Sequence, residues 1–241
     1  MIIQSTKVWI EEQWLSAQIE ILNDKIVRIY PYNTKQVDKD YGEHRIYPGF
    51  IDTHCHGEVG FDTNDANEEG LGKWLEVAVQ EGVTSLCPTT ITQSEEVLTR
   101  ALENVARAVN HKHKGAQIVG VHFEGPYLNV AYKGAQPEEH IVKPDIEQFK
   151  RYQQAAEGLI KLITIAVEND EDHQLTRYMS SHGVIVSMGH SGATYDQAIM
   201  GIANGAMSMT HVFNGMSRFS HREPALTGAA LRTRDVYGEI I

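Results

Sequence analysis

From residue 47 onward the chain alternates short apolar runs with amphipathic stretches. The apolar runs are "YPGFIDTHCHG", "GVTSLCPTT", "QIVGVHFEGP", "KLITIAVE", "GVIVSMGHS", "GAMSMTHVFN" and "DVYGEII". Each is short and bounded by glycine, proline or polar residues, as a buried strand requires. Between the first two lies "NEEGLGKWLEVAVQE", where Leu71, Trp74, Leu75, Ala78 and Val79 recur at helical spacing. Between the next two lies "SEEVLTRALENVARAVN". Thr92 or Ser94 can cap that helix, and Glu95 and Glu96 suit the positive end of its dipole. Strand, helix, strand repeated in this way predicts parallel β/α units. Seven strand-like runs fall one short of a (β/α)8 barrel, so residues 47–241 predict an incomplete α/β barrel of about seven strands. Residues 1–46 read differently. "KVWIEEQWLSAQIEILNDKIVRIYP" alternates apolar and polar positions, with a tight turn at Asn23-Asp24, and predicts a small β unit.

Barrels of this kind carry their active sites at the C-terminal ends of the strands. Polar residues fall there: His54 and His56 close the first run, Glu124 the third, His190 the fifth and His211 the sixth. Residues i and i+2 of a strand share a face, so His54 and His56 point together while Cys55 points away and packs. His122 shares a face with Glu124 one step deeper, as a group supporting the site or as a packed interior histidine. Neutral imidazole and carboxylate are good ligands for zinc or iron(II), and one carboxylate can bridge two cations. The His-x-His spacing alone decides nothing, because His111 and His113 repeat it in "HKHKG", which reads as a solvated loop. The joint placement at four strand ends is what favours metal binding over structural histidines.

Composition narrows the class. Of 241 residues, 41% are hydrophobic and 22% charged, as in soluble globular proteins. No apolar run reaches the roughly 18 residues of a membrane span, and the first residues lack the pattern of a signal peptide. The two cysteines, Cys55 and Cys87, make no disulfide scaffold, which places the protein in a reducing cytoplasm. A formal net charge of -11 argues against a nucleic-acid partner, since such partners need basic patches. An anionic small molecule would need a local positive site from metal or Arg.

Further stretches carry a family resemblance. "PGFIDTHCHG", "HFEGPYLN", "KGAQP", "MGHS", "THVFNGMS" and "HREP" together resemble, in order and over the whole chain, the N-acetylglucosamine-6-phosphate deacetylases of the amidohydrolase superfamily. "PGFID" with His-x-His marks only the superfamily, whereas "FEGP", "KGAQP", "GHS" and "THVFNGM" in succession are more specific. The resemblance implies a metal-bearing barrel with a small β-sandwich made from both chain ends, residues 1–46 supplying the N-terminal portion. It implies hydrolysis of the acetamide of N-acetylglucosamine 6-phosphate to glucosamine 6-phosphate and acetate, in amino-sugar catabolism. It implies one or two divalent ions, zinc or iron foremost and manganese or cobalt otherwise, with His54 and His56 on one ion, His190 and His211 on the second, and Glu124 bridging. Ala135, Gln136, Asn214 and Gly215 match sugar-binding positions, and Arg222 matches a phosphate-binding arginine whose guanidinium fork suits a dianion. For Arg222 the plainer reading is a surface ion pair with Glu223 or Glu239. A homodimer is implied for the full-length form, with a phosphosugar as the small-molecule partner and no membrane.

The family's proton-moving Asp follows the eighth strand, and a sugar-contacting His follows the seventh. Neither occurs in this sequence, so the expectation is a chain inactive by itself. Two other readings stand beside the deacetylase. One is a different amidohydrolase, a cyclic amidase or deaminase, against which "KGAQP" and "HREP" argue. The other is a non-catalytic metal-binding fragment.

Overall fold

The structure is a computed structural model and describes residues 1–111 and 113–241. The chain divides into two compact units, Met1–Phe50 and Ile51–Ile241. In the first, β1 (Ile2–Ile10), β2 (Gln13–Leu22) and β3 (Lys25–Pro31) form an antiparallel meander. β1 also pairs in parallel with the two-residue strands β4 (Lys39–Asp40) and β5 (Arg45–Ile46). The expected turn is present: Asn23 and Asp24 both take positive φ, 50° and 61°, which their short polar side chains tolerate and which matches the twist of a hairpin. Glu11 and Glu12 take the same conformation at the β1–β2 turn, where the sequence offers no Asn or Gly to signal it. The core here is small, with Val8, Ala17 and Ile19 buried and Ile3, Ile10, Ile21 and Ile46 packed against them. Buried Gln18 donates to buried Gln4 across the sheet at 2.7 Å, so neither amide is left unpaired.

The second unit is built on strands β6 (Phe50–Cys55), β9 (Val83–Thr90), β10 (Gln117–Ile118), β11 (Val121–Glu124), β12 (Ile160–Ile165), β13 (Ile185–Met188), β14 (Ala206–Met209) and β15 (Tyr237–Gly238). A short hairpin of β7 (Gly57–Glu58) and β8 (Phe61–Asp62) follows β6. β10 and β11 both pair with β9 and occupy one strand position, so seven positions succeed one another in chain order from β6 to β15. The pairings from β9 to β15 are all parallel. Helices α1 (Glu68–Ala78), α2 (Glu95–Asn110), α3 (Ile146–Ala155), α4 (Gln174–Ser181), α5 (Tyr195–Ala203) and α6 (Ala225–Arg232) connect them. This is the expected partial (β/α)8 barrel, with its seven strands where the seven apolar runs placed them. Among the described residues no helix is long and apolar enough to cross a membrane.

Local chemistry explains the helices. Asn67 caps α1 by accepting from Gly70 N, and Leu71, Trp74, Leu75 and Ala78 form its buried stripe. Ser94, not Thr92, caps α2 by accepting from Val97 N. Leu98, Ala101, Leu102 and Val105 then face inward. Strands β11 to β14 are largely buried on both faces, so they read as continuous apolar runs, whereas β6 and β15 at the two ends of the series are more exposed. Fully buried Trp74, Phe123, Tyr127, Phe149 and Tyr152 anchor one contiguous core.

A polar layer crosses this core. His122 is fully buried, with Nδ1 2.9 Å from the Thr53 carbonyl and Nε2 2.7 Å from Thr164 Oγ1. A carbonyl only accepts, so Nδ1 carries the proton and Nε2 accepts the Thr164 hydroxyl. Thr164 then accepts from Thr210, and Thr210 from Ser187, each link being 2.7 Å. From the Thr53 carbonyl to Ser187, five strand positions are thereby tied by one directed chain. Thr210→Val keeps the shape but leaves the Ser187 proton without an acceptor. Urea unfolding should show a loss of about 1–3 kcal/mol, which Thr210→Ser should largely restore.

Candidate metal centre

His54, His56, Glu124, His190 and His211 converge at the C-terminal rim of the barrel. Glu124 is the last residue of β11 and His54 lies in the final turn of pleat of β6. His56, His190 and His211 sit one or two residues beyond β6, β13 and β14. Leaving the strand sharply is what turns the last two inward. His190 and His211 both take left-handed backbone, φ 46° and 34°, a strained conformation for a non-glycine residue that costs of order 1–3 kcal/mol.

The carboxylate of Glu124 is the hub and is 2% exposed. Its Oε1 lies 3.2 Å from His190 Nε2 and 3.4 Å from both His54 Nε2 and His211 Nε2. Its Oε2 lies 3.4 Å from His56 Nε2 and accepts a 2.6 Å hydrogen bond from Gln136 Nε2. The Nε2 atoms of His190 and His211 are 3.1 Å apart. Burial alone would push the Glu124 carboxyl up, but the hydrogen bonds of the four imidazoles hold it far below the usual carboxylate range. Burial likewise opposes charge on His54, yet Glu124 and Glu239 outweigh it and lift its pKa to about 9.

The other nitrogen of each ring decides what the cluster can hold. His54 Nδ1 lies 2.9 Å from Glu239 Oε2, His56 Nδ1 3.3 Å from the Thr89 carbonyl, and His190 Nδ1 3.0 Å from the Tyr132 carbonyl. Each partner accepts only, so the Nδ1–H tautomer is selected in all three. When neutral, these rings present bare Nε2 lone pairs to the carboxylate, and His190 presents one to His211; only protonated rings can donate the hydrogen bonds that hold Glu124 low. The neutral arrangement is repulsive without a cation among the atoms. Extra protons or a metal would supply it, and three nitrogen-anchored imidazoles with a carboxylate match the donor set of zinc or iron(II). Two overlapping groups fit, His54 with His56 and Glu124, and Glu124 with His190 and His211. The residues present thus suit one or two divalent ions.

Other expected positions fall as follows. Gly215 has φ 58°, and a Cβ there would lie 3.1 Å from His190 Nδ1 and 3.2 Å from His211 Cε1. The "FNGM" loop therefore presses on both rings only because residue 215 lacks a side chain. Asn214 and Ala135 are exposed, on loops adjoining these histidines. Gln136 is buried with both amide ends used, one on Glu124 and the other accepting from Thr92 N. It acts on the carboxylate as it stands. Arg222 is exposed on the turn ahead of α6 and pairs with no acid among the described residues. Its two suggested partners are engaged elsewhere: Glu223 accepts from Tyr195 N and Ala225 N, and Glu239 from His54. Among the described residues no hydrogen bond or ion pair joins Arg222 to these histidines.

Cys55 packs against the core and its thiol points toward the Gly57 carbonyl, away from the cluster. Burial pushes the Cys87 thiol up to about 11, so it is inert. Two supporting groups escaped the sequence reading. Glu239 follows β15 directly, and the strand-end rule that selected the histidines points to it as well. Glu168 accepts from Ser191 Oγ, Gly192 N and Asn129 Nδ2, and so locks the loop after His190 to the loop after Glu124. Its half-burial gave no pattern in the sequence.

This fold and rim chemistry coincide with a known group. Residues 45–234 match the amidohydrolase family. The chain belongs to that family. It is 41% identical over 201 residues to N-acetylglucosamine-6-phosphate deacetylase of Bacillus subtilis (strain 168), covering 81% of this chain and 50% of the relative. It is 39% identical over 196 residues to the protein of that name from Lysinibacillus sphaericus, covering 81% and 51%. The chain spans about half the length of the curated relatives it matches. The crystal structure of N-acetyl-D-glucosamine-6-phosphate deacetylase from Mycobacterium smegmatis superposes with a TM-score of 0.93 at 30% identity, over 100% of this chain and 68% of that one.

Proposed function

We propose that the protein carrying this chain hydrolyses the acetamide of N-acetylglucosamine 6-phosphate, giving glucosamine 6-phosphate and acetate. The observation that carries the reading is the ring of Nε2 atoms around a buried carboxylate, three of them fixed as bare donors by their Nδ1 partners. The names of the similar proteins support the substrate, and "KGAQP", "FNGM" and "HREP" support the sugar and phosphate contacts. His54 and His56 would hold one divalent ion and His190 and His211 a second, with the Glu124 carboxylate within reach of both pairs. Zinc or iron(II) fits best, with manganese or cobalt(II) as substitutes. Such ions, when bound, supply a Lewis acid for the amide carbonyl and acidify water.

The chain's own residues do the rest. Glu239 and the Thr89 and Tyr132 carbonyls fix the tautomers and ring planes of His54, His56 and His190, so no reorientation is needed on binding. Gln136 holds Glu124 through one amide end and the backbone after β9 through the other, which fixes the carboxylate rotamer. Gly215 lets the "FNGM" loop approach both histidines, bringing Asn214 to the rim for a sugar hydroxyl. Arg222, exposed and without an acid partner among the described residues, is free to take a phosphate in a bidentate grip. The net charge of -11 makes that local positive group necessary for an anionic sugar.

Acetate release by the metal-loaded protein tests the reading. N-acetylglucosamine 6-phosphate should be turned over, unphosphorylated N-acetylglucosamine far less, and a hydantoin not at all. Equal turnover with and without the 6-phosphate, or preference for the cyclic amide, would overturn it. Chelation should abolish the activity. Glu124→Gln should lower the metal content measured by elemental analysis and leave turnover near background, whereas full metal content with substantial activity would remove Glu124 from the centre. Arg222→Ala should weaken binding of glucosamine 6-phosphate by about 2–3 kcal/mol, roughly 30- to 150-fold in Kd, and leave glucosamine unchanged in calorimetry. Glu239→Ala should weaken metal retention roughly 10- to 100-fold, the usual cost of losing a carboxylate behind a ligating histidine.

A further inference from the structure

A second His-x-His pair, outside the barrel mouth, meets a carboxylate of its own. Glu68 is the first residue of α1, His111 follows the end of α2, and His113 lies two residues on. His111 Nδ1 is 2.6 Å from Glu68 Oε1, and one donor atom from each of the three residues lies within 4.8 Å of the others. The pair was expected in a solvated loop. His111 is indeed 61% exposed, but His113 is not free in solvent: its Nε2 is buried and has no hydrogen-bond partner. A buried imidazole nitrogen left unpaired costs about 1–3 kcal/mol and calls for an explanation.

Gly72 adds a second oddity. It lies one turn beyond Glu68 on the same face of α1, in a helix interior where glycine costs about 1 kcal/mol against alanine. A Cβ at that position would stand 3.4 Å from His113 Nδ1. The missing side chain leaves the slot in which the imidazole lies, beside a cleft of about 570 Å³ that Glu68, Gly72 and His113 help to line.

We propose that Glu68, His111 and His113 form a peripheral site for a divalent transition ion, Zn(II) in the first place. Two imidazoles and one carboxylate suit Zn(II), while Mg(II) and Ca(II) favour oxygen donors throughout. The ion takes the place of the His111–Glu68 contact, draws on a His113 nitrogen within 4.8 Å of the other two donors, and fastens the first turn of α1 to the end of α2. Bound there, it stabilises the folded state by mass action and takes no part in turnover. The site shares no ligand with the barrel rim, so it stands or falls independently of the deacetylase reading.

Equilibrium dialysis against Zn(II) with elemental analysis tests this. The wild-type chain should bind one more zinc per chain than His111→Gln/His113→Gln, and Glu68→Gln should weaken that extra equivalent about tenfold. At a hundredfold excess over Kd, zinc should raise the wild-type Tm roughly 5–10 °C more than it raises the double variant's. Gly72→Leu is the second variant. It keeps every ligand and a better helix former at 72, but fills the slot over His113, and it should lose the same equivalent. Equal zinc content and equal thermal response in the wild type and the double variant would overturn the proposal. So would full zinc content in Gly72→Leu should the double variant fail to fold.

Discussion

A carboxylate sealed at 2% exposure inside a ring of imidazoles is the constraint around which the barrel mouth is organised. An isolated buried carboxylate is too costly to stay ionised, and would take up a proton instead. Glu124 stays ionised because four Nε2 atoms from three other strand ends stand 3.2–3.4 Å from it. Positive charge in that ring is therefore as much a condition of the fold as of any chemistry. The strain at His190 and His211 belongs to the same account. Left-handed backbone at two non-glycine residues is kept because it brings their rings onto the hub, and the loops behind them are secured by Glu168 and by the close approach of Gly215.

Much of this was legible in the sequence because two periodicities carry it. Parallel strands buried on both faces give short unbroken apolar runs, and the C-terminal rim of a barrel collects polar residues. Those two rules suffice to place His54, His56, Glu124, His190 and His211. They do not reveal Nδ1 partners. Thr89 and Tyr132 act through backbone carbonyls, which any residue type would supply, so their identity carried no signal. Gln136 matched a sugar-binding position through "KGAQP", and the sequence did not show that its side-chain amide also engages Glu124 and Thr92. Glu239 stands at a strand end, where the same rule points to it, but was weighed only as a surface partner for Arg222. His113 was lost to the assumption that a charged, histidine-rich loop is solvated; its Nε2 is buried and its Nδ1 faces Gly72, 41 positions earlier in the chain.

The barrel interior shows how one residue type is given opposite properties one layer apart. The rings of His54 and His122 are 4.5 Å apart between centroids. His54 meets two carboxylates and its pKa rises to about 9. His122 is wholly buried and lies beside that same His54, and its pKa falls to about 4. The lower histidine is thus neutral throughout the physiological range. Neutrality is what lets its Nε2 accept the Thr164 hydroxyl and start the chain through Thr210 to Ser187. Were His122 charged, that nitrogen would become a donor and the directed chain would have to reverse link by link, with no acceptor waiting for the last proton. The hydroxyl layer therefore insulates: it ties five strand positions together using neutral groups alone, and it leaves the rim above as the place where the barrel concentrates charge. A charged His122 in that layer would instead repel a cation held by the rim histidines just above it.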